Sequence, residues 1–268
     1  MAAPDPMIWP ASAWADRFRA LLAGAGLSAG DVLDDALAET PPWAGADDNA
    51  PRGLALASIL AQPARLADHA RRYPDPLPPE DTQALRARLS VLHQGLCLQV
   101  LAPLVLRLFR DGHAPQPDPA RIRLVPSAGG EPDWRFHPGA EQLDETTFVH
   151  ALAGATRAWY PVFRRALGVS PGAYWSSVGL ALGAPFSTVW NRLDPQALCP
   201  LAQQWLAAFP TDAHRFIDWI PATFSGRTCG IPQRRGCCLK FRLPNGGYCG
   251  TCGIYRRERL AAIPPPRR

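Results

Sequence analysis

Four of the chain's seven cysteines lie within "GCCLKFRLPNGGYCGTCG", residues 236–253. Cys237 and Cys238 are adjacent, and Cys249 and Cys252 follow as C-x2-C after a ten-residue gap. Thiols at this density bind a metal ion, hold an iron–sulfur cluster or exchange disulfides. Zinc takes four tetrahedral thiolates, commonly from two C-x2-C knuckles, and the vicinal pair lacks the spacer that turns both sulfurs inward. A [2Fe–2S] cluster has two irons and accepts neighbouring cysteines on different irons. A disulfide between adjacent cysteines strains its ring and belongs to redox switches. The spacing favours the cluster, with zinc and thiol–disulfide chemistry as alternatives.

The surrounding charge fits an anionic centre. From residue 227 to 268, ten basic residues stand against Glu258 alone, in a chain whose net charge is +5. Arg234, Arg235, Lys240 and Arg242 would stabilise a dianionic oxidised cluster, and the reduced trianion more, raising its potential. Gly236, Gly246, Gly247, Gly250 and Gly253 leave room for backbone N–H groups to approach the sulfurs. A basic tail also fits nucleic acid. Here the cations lack a helical recognition pattern and the aromatics do not interleave as a stacking platform, so no nucleic-acid partner is expected.

The remaining residues offer little competing chemistry. Cys97 and Cys199 sit in apolar helical patterns, where cysteine is usually a small buried hydrophobe. Cys229 lies outside the four-cysteine pattern and is expected to be a non-ligand. The histidines at 69, 93, 113, 137, 150 and 214 are scattered, and neither a metalloprotease helix motif nor a nucleotide-binding glycine loop is present. An electron donor must therefore be external. No targeting segment is visible, and the most apolar run, "GLCLQVLAPLVLRLF", is interrupted by Gln99 and Arg107 and reads as too short to span a bilayer. The expectation is a cytoplasmic protein without an integral membrane segment, possible peripheral contact with the inner face of the membrane aside. In that reducing compartment, clustered thiols point to metal or redox chemistry rather than structural disulfides.

The elements that must position the cysteines follow from periodicity. The Asn-Gly turn pair within "LKFRLPNGGYC" predicts a hairpin in which Leu239 opposes Cys252, placing Cys252 beside Cys238. Upstream, Trp14, Phe18, Leu21 and Leu22 form a helical face with Ser12 as a candidate cap. Further helical patterns cover 32–37, 54–72, 80–110 (with Pro103 kinking or dividing the last), 146–167, 171–191 and 195–208. Ser170 and Pro171 open the 171–191 helix as cap and first residue. Alternation around a Gly-rich turn predicts a β-hairpin near 121–137. The predicted fold is α+β, a mostly helical body with a small β-hairpin or sheet and a compact C-terminal cysteine-bearing hairpin. It divides as 1–79, loop-rich and helical; 80–226, the helical body; and 227–268, the basic cysteine segment.

"CCLKFRLPNGGYCGTC" resembles the C-terminal signature of the FhuF-like ferric siderophore reductases, C-C-x10-C-x2-C, which Cys237, Cys238, Cys249 and Cys252 match without a change in spacing. The resemblance implies that these four cysteines bind a [2Fe–2S] cluster that passes one electron to the iron of a hydroxamate siderophore. It also implies an external donor such as a ferredoxin or a flavin reductase. Residues 80–226 would then supply the siderophore pocket. Lys240 and Arg242 are the candidates for its rim, and Trp205, Phe216, Trp219, Phe224, Phe241 and Tyr248 are possible lining. A zinc-ribbon-like binding module, or an iron–sulfur carrier or sensor without a siderophore substrate, is the alternative.

Overall fold

A computed structural model describes residues 13–40, 53–73, 75–126, 132–224, 227–244 and 246–254. Its axis is one long helical stretch, Thr82–Asp111, assembled from α5 (Thr82–Leu96), a π-turn (Cys97–Leu101) and α6 (Ala102–Asp111). Asp81 caps it, its carboxylate accepting the Ala84 N–H at 2.9 Å. Pro103 was expected to kink or divide this helix, and the π-turn is how the chain absorbs it. Proline has no N–H and its ring crowds the carbonyl four residues back, so a turn wider by one residue removes the clash. Ala102 N–H accordingly reaches the Cys97 carbonyl five residues back.

This stretch is long and apolar enough to cross a membrane, with a mean hydropathy of 1.7 in its most apolar window. The apolar run read from the sequence is the middle of this longer helix, and a core helix passes the same test of length and composition. Two thirds of that window is nevertheless buried inside the fold, where the stretch serves as the core helix.

Around it lie α1 (Trp14–Gly24) and α2 (Ala29–Ala38), then β1 (Leu54–Ala55), α3 (Leu56–Ala61) and α4 (Ala64–Arg72). β2 (His113–Pro115), β3 (Ile122–Val125), β4 (Asp133–Phe136) and β5 (Gln142–Asp144) follow, then α7 (Glu145–Pro161), α8 (Pro171–Leu182), α9 (Ala184–Ser187) and α10 (Pro195–Ala208). The strands form two small antiparallel sheets, β1-β3-β4 and β2-β5, with Ile122 opposite Phe136. Ser170 caps α8 as its sequence predicts, accepting the Ala173 N–H. Ser12 lies outside the described residues. The first N–H groups of α1 are taken instead by the Glu145 carboxylate at the start of α7, at 3.0 and 3.3 Å.

One apolar core joins these elements. Phe18, Phe109, Phe186 and Trp205 meet edge to face with ring centroids 5.0–5.7 Å apart. Each such side chain contributes about 1.5–3 kcal/mol through burial. Core residues run from Trp14 to Trp219, so the helices before residue 80 share it with those after. The fold is α+β and mostly helical.

A hairpin not predicted from sequence leads to the cysteines: β6 (Ile217–Phe224) and β7 (Arg227–Arg234), registered from Ile217↔Arg234 to Phe224↔Arg227. It spans the 226/227 boundary drawn from composition. The hairpin predicted over the cysteines is corrected. Among the described residues after Arg234 there is no ladder. Leu239 takes φ 63°, and Lys240–Arg242 form a 3-10 turn. Gly246 N–H closes onto the Leu243 carbonyl at 3.0 Å. Successive tight turns thus replace the strand pair, and Asn245 lies outside the described residues.

Candidate metal centre

The turns bring the four thiols together by a route other than a ladder. Cys237 Sγ lies 3.8 Å from Cys252 Sγ. Cys238 hydrogen-bonds both Cys237 and Cys249 through the thiols, so the cysteines form a chain of neighbours in the order 252, 237, 238, 249. The C-x2-C turn is closed by Cys252 N–H on the Cys249 carbonyl at 2.9 Å. It is tied to β7 at Thr251, whose carbonyl accepts the Arg234 N–H and the Gln233 amide, each at 3.0 Å. Cys238 and Cys252 are buried, while Cys237 and Cys249 are half-buried.

The site's electrostatics are uneven. The Cys238 thiol bond, with help from the Leu239 N–H at 3.3 Å, holds Cys237 below the usual thiol range despite its burial. Cys249 is pushed up, first by its bond with Cys238 and then by burial. On the other side, Gly236 abuts the first turn of α8. A Cβ at 236 would overlap the Gly172 carbonyl oxygen, and at Gly172 it would come within 3.2 Å of the Gly236 Cα. The positive end of the α8 dipole therefore lies beside the vicinal pair, where it favours thiolates.

A cavity of about 270 Å³ opens against this segment. Gly95, Leu98 and Gln99 of the core helix form one wall, Trp134 of β4 another, and Lys240 and Cys249 a third. Gln99 pins two of these walls together: its amide oxygen accepts the Trp134 backbone N–H at 2.8 Å and its amide nitrogen donates to Asp133 at 3.2 Å.

Residues 234–252 match the family model of the FhuF 2Fe-2S C-terminal domain. The cofactor is a [2Fe–2S] cluster, and the domain supports a siderophore-iron reductase family. No curated protein matches the chain.

The residues present fit a FhuF-type cluster. All four cysteines of the matched segment are within a short chain of contacts, and an amide N–H already points at one sulfur. Among the described residues no three His, Cys, Asp or Glu side chains close around a single-ion site.

The structure sorts the other nominated residues. Cys229 is buried on β7 opposite Ala222, its thiol turned toward the Arg227 carbonyl at 3.8 Å. Cys97 is buried beside His93, and Cys199 packs against Gly230. Lys240 lines the cavity, whereas Arg242 lies outside its lining and donates to Gln83 Oε1 at 2.6 Å. Trp205 and Trp219 belong to the core, Phe216 packs against it, and Phe241 stacks on Tyr248. The Phe224 side chain lies outside the described set. The aromatic wall comes instead from Trp134 and Tyr73, which the sequence reading missed. Gln99 carried the one available signal, a lone amide inside an apolar run.

The contact at Gly236 makes a prediction. Gly236→Ala should destabilise the protein by about 1–3 kcal/mol and lower its melting temperature by several degrees. Gly250→Ala, where a Cβ meets nothing within 4 Å, should melt with the wild type. Equal melting of the two variants would mean that the cysteine segment does not rest on α8.

Proposed function

We propose that this protein reduces Fe(III) held in a hydroxamate-type ferric siderophore, releasing Fe(II) in the cytoplasm, with Cys237, Cys238, Cys249 and Cys252 as the cluster ligands. The observation that carries this reading is the cavity wall shared by Lys240 and Cys249. When bound, the cluster supplies a single electron at low potential. The chain's own residues have the task of bringing the chelate to it.

Leu92, Leu98 and Trp134 offer apolar surface for the methylene arms of such a chelate, and Lys240 offers a cation for its anionic oxygens. The cavity is at the small end for a drug-sized ligand, so it takes part of the chelate and leaves the rest in solvent. Hydroxamate oxygens are hard donors that hold Fe(III) far more tightly than Fe(II), so one-electron reduction loosens every donor at once. A ferredoxin or flavin reductase would supply the electron.

The test is anaerobic and stoichiometric. Pre-reduced protein is mixed with a ferrioxamine-type chelate and a ferrous-specific chelator, and the visible spectrum is followed. Recovery of the oxidised spectrum with capture of one Fe(II) per electron is expected. Protein that stays reduced over many minutes, yet is discharged at once by a small oxidant, is a carrier or sensor instead.

A further inference from the structure

The Arg234 side chain is 1% exposed, at the point where β7 passes into the cysteine segment. Its hydrogen bonds go to neutral groups only. Nε donates to Ser176 Oγ at 2.9 Å, and one terminal nitrogen donates to Ser177 Oγ at 3.0 Å and to the Ala173 carbonyl at 3.4 Å. The other terminal nitrogen is buried without a partner among the described residues. No carboxylate pairs with Arg234 there, whereas its neighbour Arg235 grips Asp218 with two bonds of 2.7 Å at the surface. A buried cation with no counter-ion is strongly destabilising, so something must complete its charge.

The cation also acts on buried His93 and Cys97, but burial keeps that imidazole and that thiol uncharged, which leaves the four-cysteine segment built onto Arg234 itself. The Arg234 backbone N–H holds Thr251 between Cys249 and Cys252, and a Cβ at Gly253 would come within 2.5 Å of the Arg234 carbonyl oxygen. We infer that Arg234 is the buried counter-charge of the four-cysteine centre, a positioning residue whose cation is balanced only when the cluster is bound. The inference rests on the ligand assignment proposed above. Two effects follow. The cation stabilises the reduced trianion more than the oxidised dianion and so raises the potential. It also makes the protein's stability depend on loading more steeply than new contacts alone would.

Midpoint potentials and thermal unfolding of the full chain, loaded and unloaded, test this in wild type, R234K, R234M and R235M. Ser176 and Ser177 already donate to the Gly172 and Ala173 carbonyls, so R234M leaves neither hydroxyl orphaned. Loaded R234M should be about tenfold harder to reduce, a fall of about 59 mV. R234K should stay near the wild-type potential, and R235M, which loses an exposed and already paired charge, should shift less than half as far. The gain in melting temperature on loading should shrink in R234M. Should R234M take up no iron, its unloaded form must melt above unloaded wild type; melting at or below it overturns the inference. Loaded R234M at the wild-type potential, or R234K as low as R234M, overturns it too. Wild-type protein that holds no iron would sink the ligand assignment and this inference together, whereas the other failures sink this one alone.

Discussion

Replacing Cys237, Cys238, Cys249 or Cys252 singly by Ser should remove most of the bound iron, whereas Cys97→Ser, Cys199→Ser and Cys229→Ser should leave the visible spectrum unchanged. Aerobically purified wild type is expected to carry about two irons and two acid-labile sulfides per chain. Each of the four thiols lies beside another in the set, so losing any one breaks the group. A serine hydroxyl is a poor substitute, being harder and far less acidic than a thiol. Cys229 is the informative control, since it lies only eight residues from Cys237 yet sits inside the β6–β7 ladder with its thiol on a backbone carbonyl. Iron content, sulfide content and the dithionite-bleachable spectrum read the outcome. A colourless Cys229→Ser beside a fully loaded Cys237→Ser would show that the ligand set is wrong.

Lys240→Glu should slow reduction of a ferric hydroxamate by about tenfold or more while leaving the iron in place. Lys240 lines the cavity beside Cys249, so a carboxylate there repels the chelate's anionic oxygens at the position of closest approach. Arg242→Glu should do less, because Arg242 is outside the cavity lining and bonded to Gln83. Reversing a charge near the cluster also lowers its potential and strengthens the drive for reduction, so slower turnover reports docking rather than energetics. Leu98→Trp tests the cavity without charge. Leu98 is 42% exposed on its wall, so a larger ring there fills the cavity with little disturbance of the core and should raise KM about tenfold. Reaction with a small inorganic oxidant is the control and should change little in Leu98→Trp. Lys240→Glu and Arg242→Glu variants slowed equally, with Leu98→Trp unaffected, would move the docking site away from this cavity.

What could be read in the sequence was local. The four cysteines lie within sixteen residues, so their spacing alone brought them into reach whatever the backbone between them did. The route was misread. "PNGG" between alternating residues signals a hairpin, but Leu239 turns left-handed immediately after Cys238 and ends any strand before it begins. The β6–β7 hairpin was missed because Pro221 and Pro232 fall within its strands. Proline argues against a central strand, yet in a two-stranded ribbon each strand has a free edge where a missing N–H costs no ladder bond. The cavity was out of reach for another reason. Its walls come from residues near 95, 134 and 249, and only the packed core brings them together. Arg234 looked like one more cation in a basic tail; its burial depends on the serines of α8, nearly sixty residues away.

The π-turn at Cys97–Leu101 acts as a phase adjuster within the core helix. One extra residue in a turn offsets everything downstream by about 100° relative to an uninterrupted α-helix. That offset lets Leu98 and Gln99 look into the cavity while Val100, Leu101, Leu104 and Phe109 stay in the core. Deleting one residue from this turn would restore regular helical geometry and push Pro103 back against the preceding carbonyl. It would also swing the apolar face of α6 toward solvent. Single-residue length changes here should therefore be far more damaging than any one substitution, and two proteins sharing this site would be expected to agree in length across the turn even where they differ in residue.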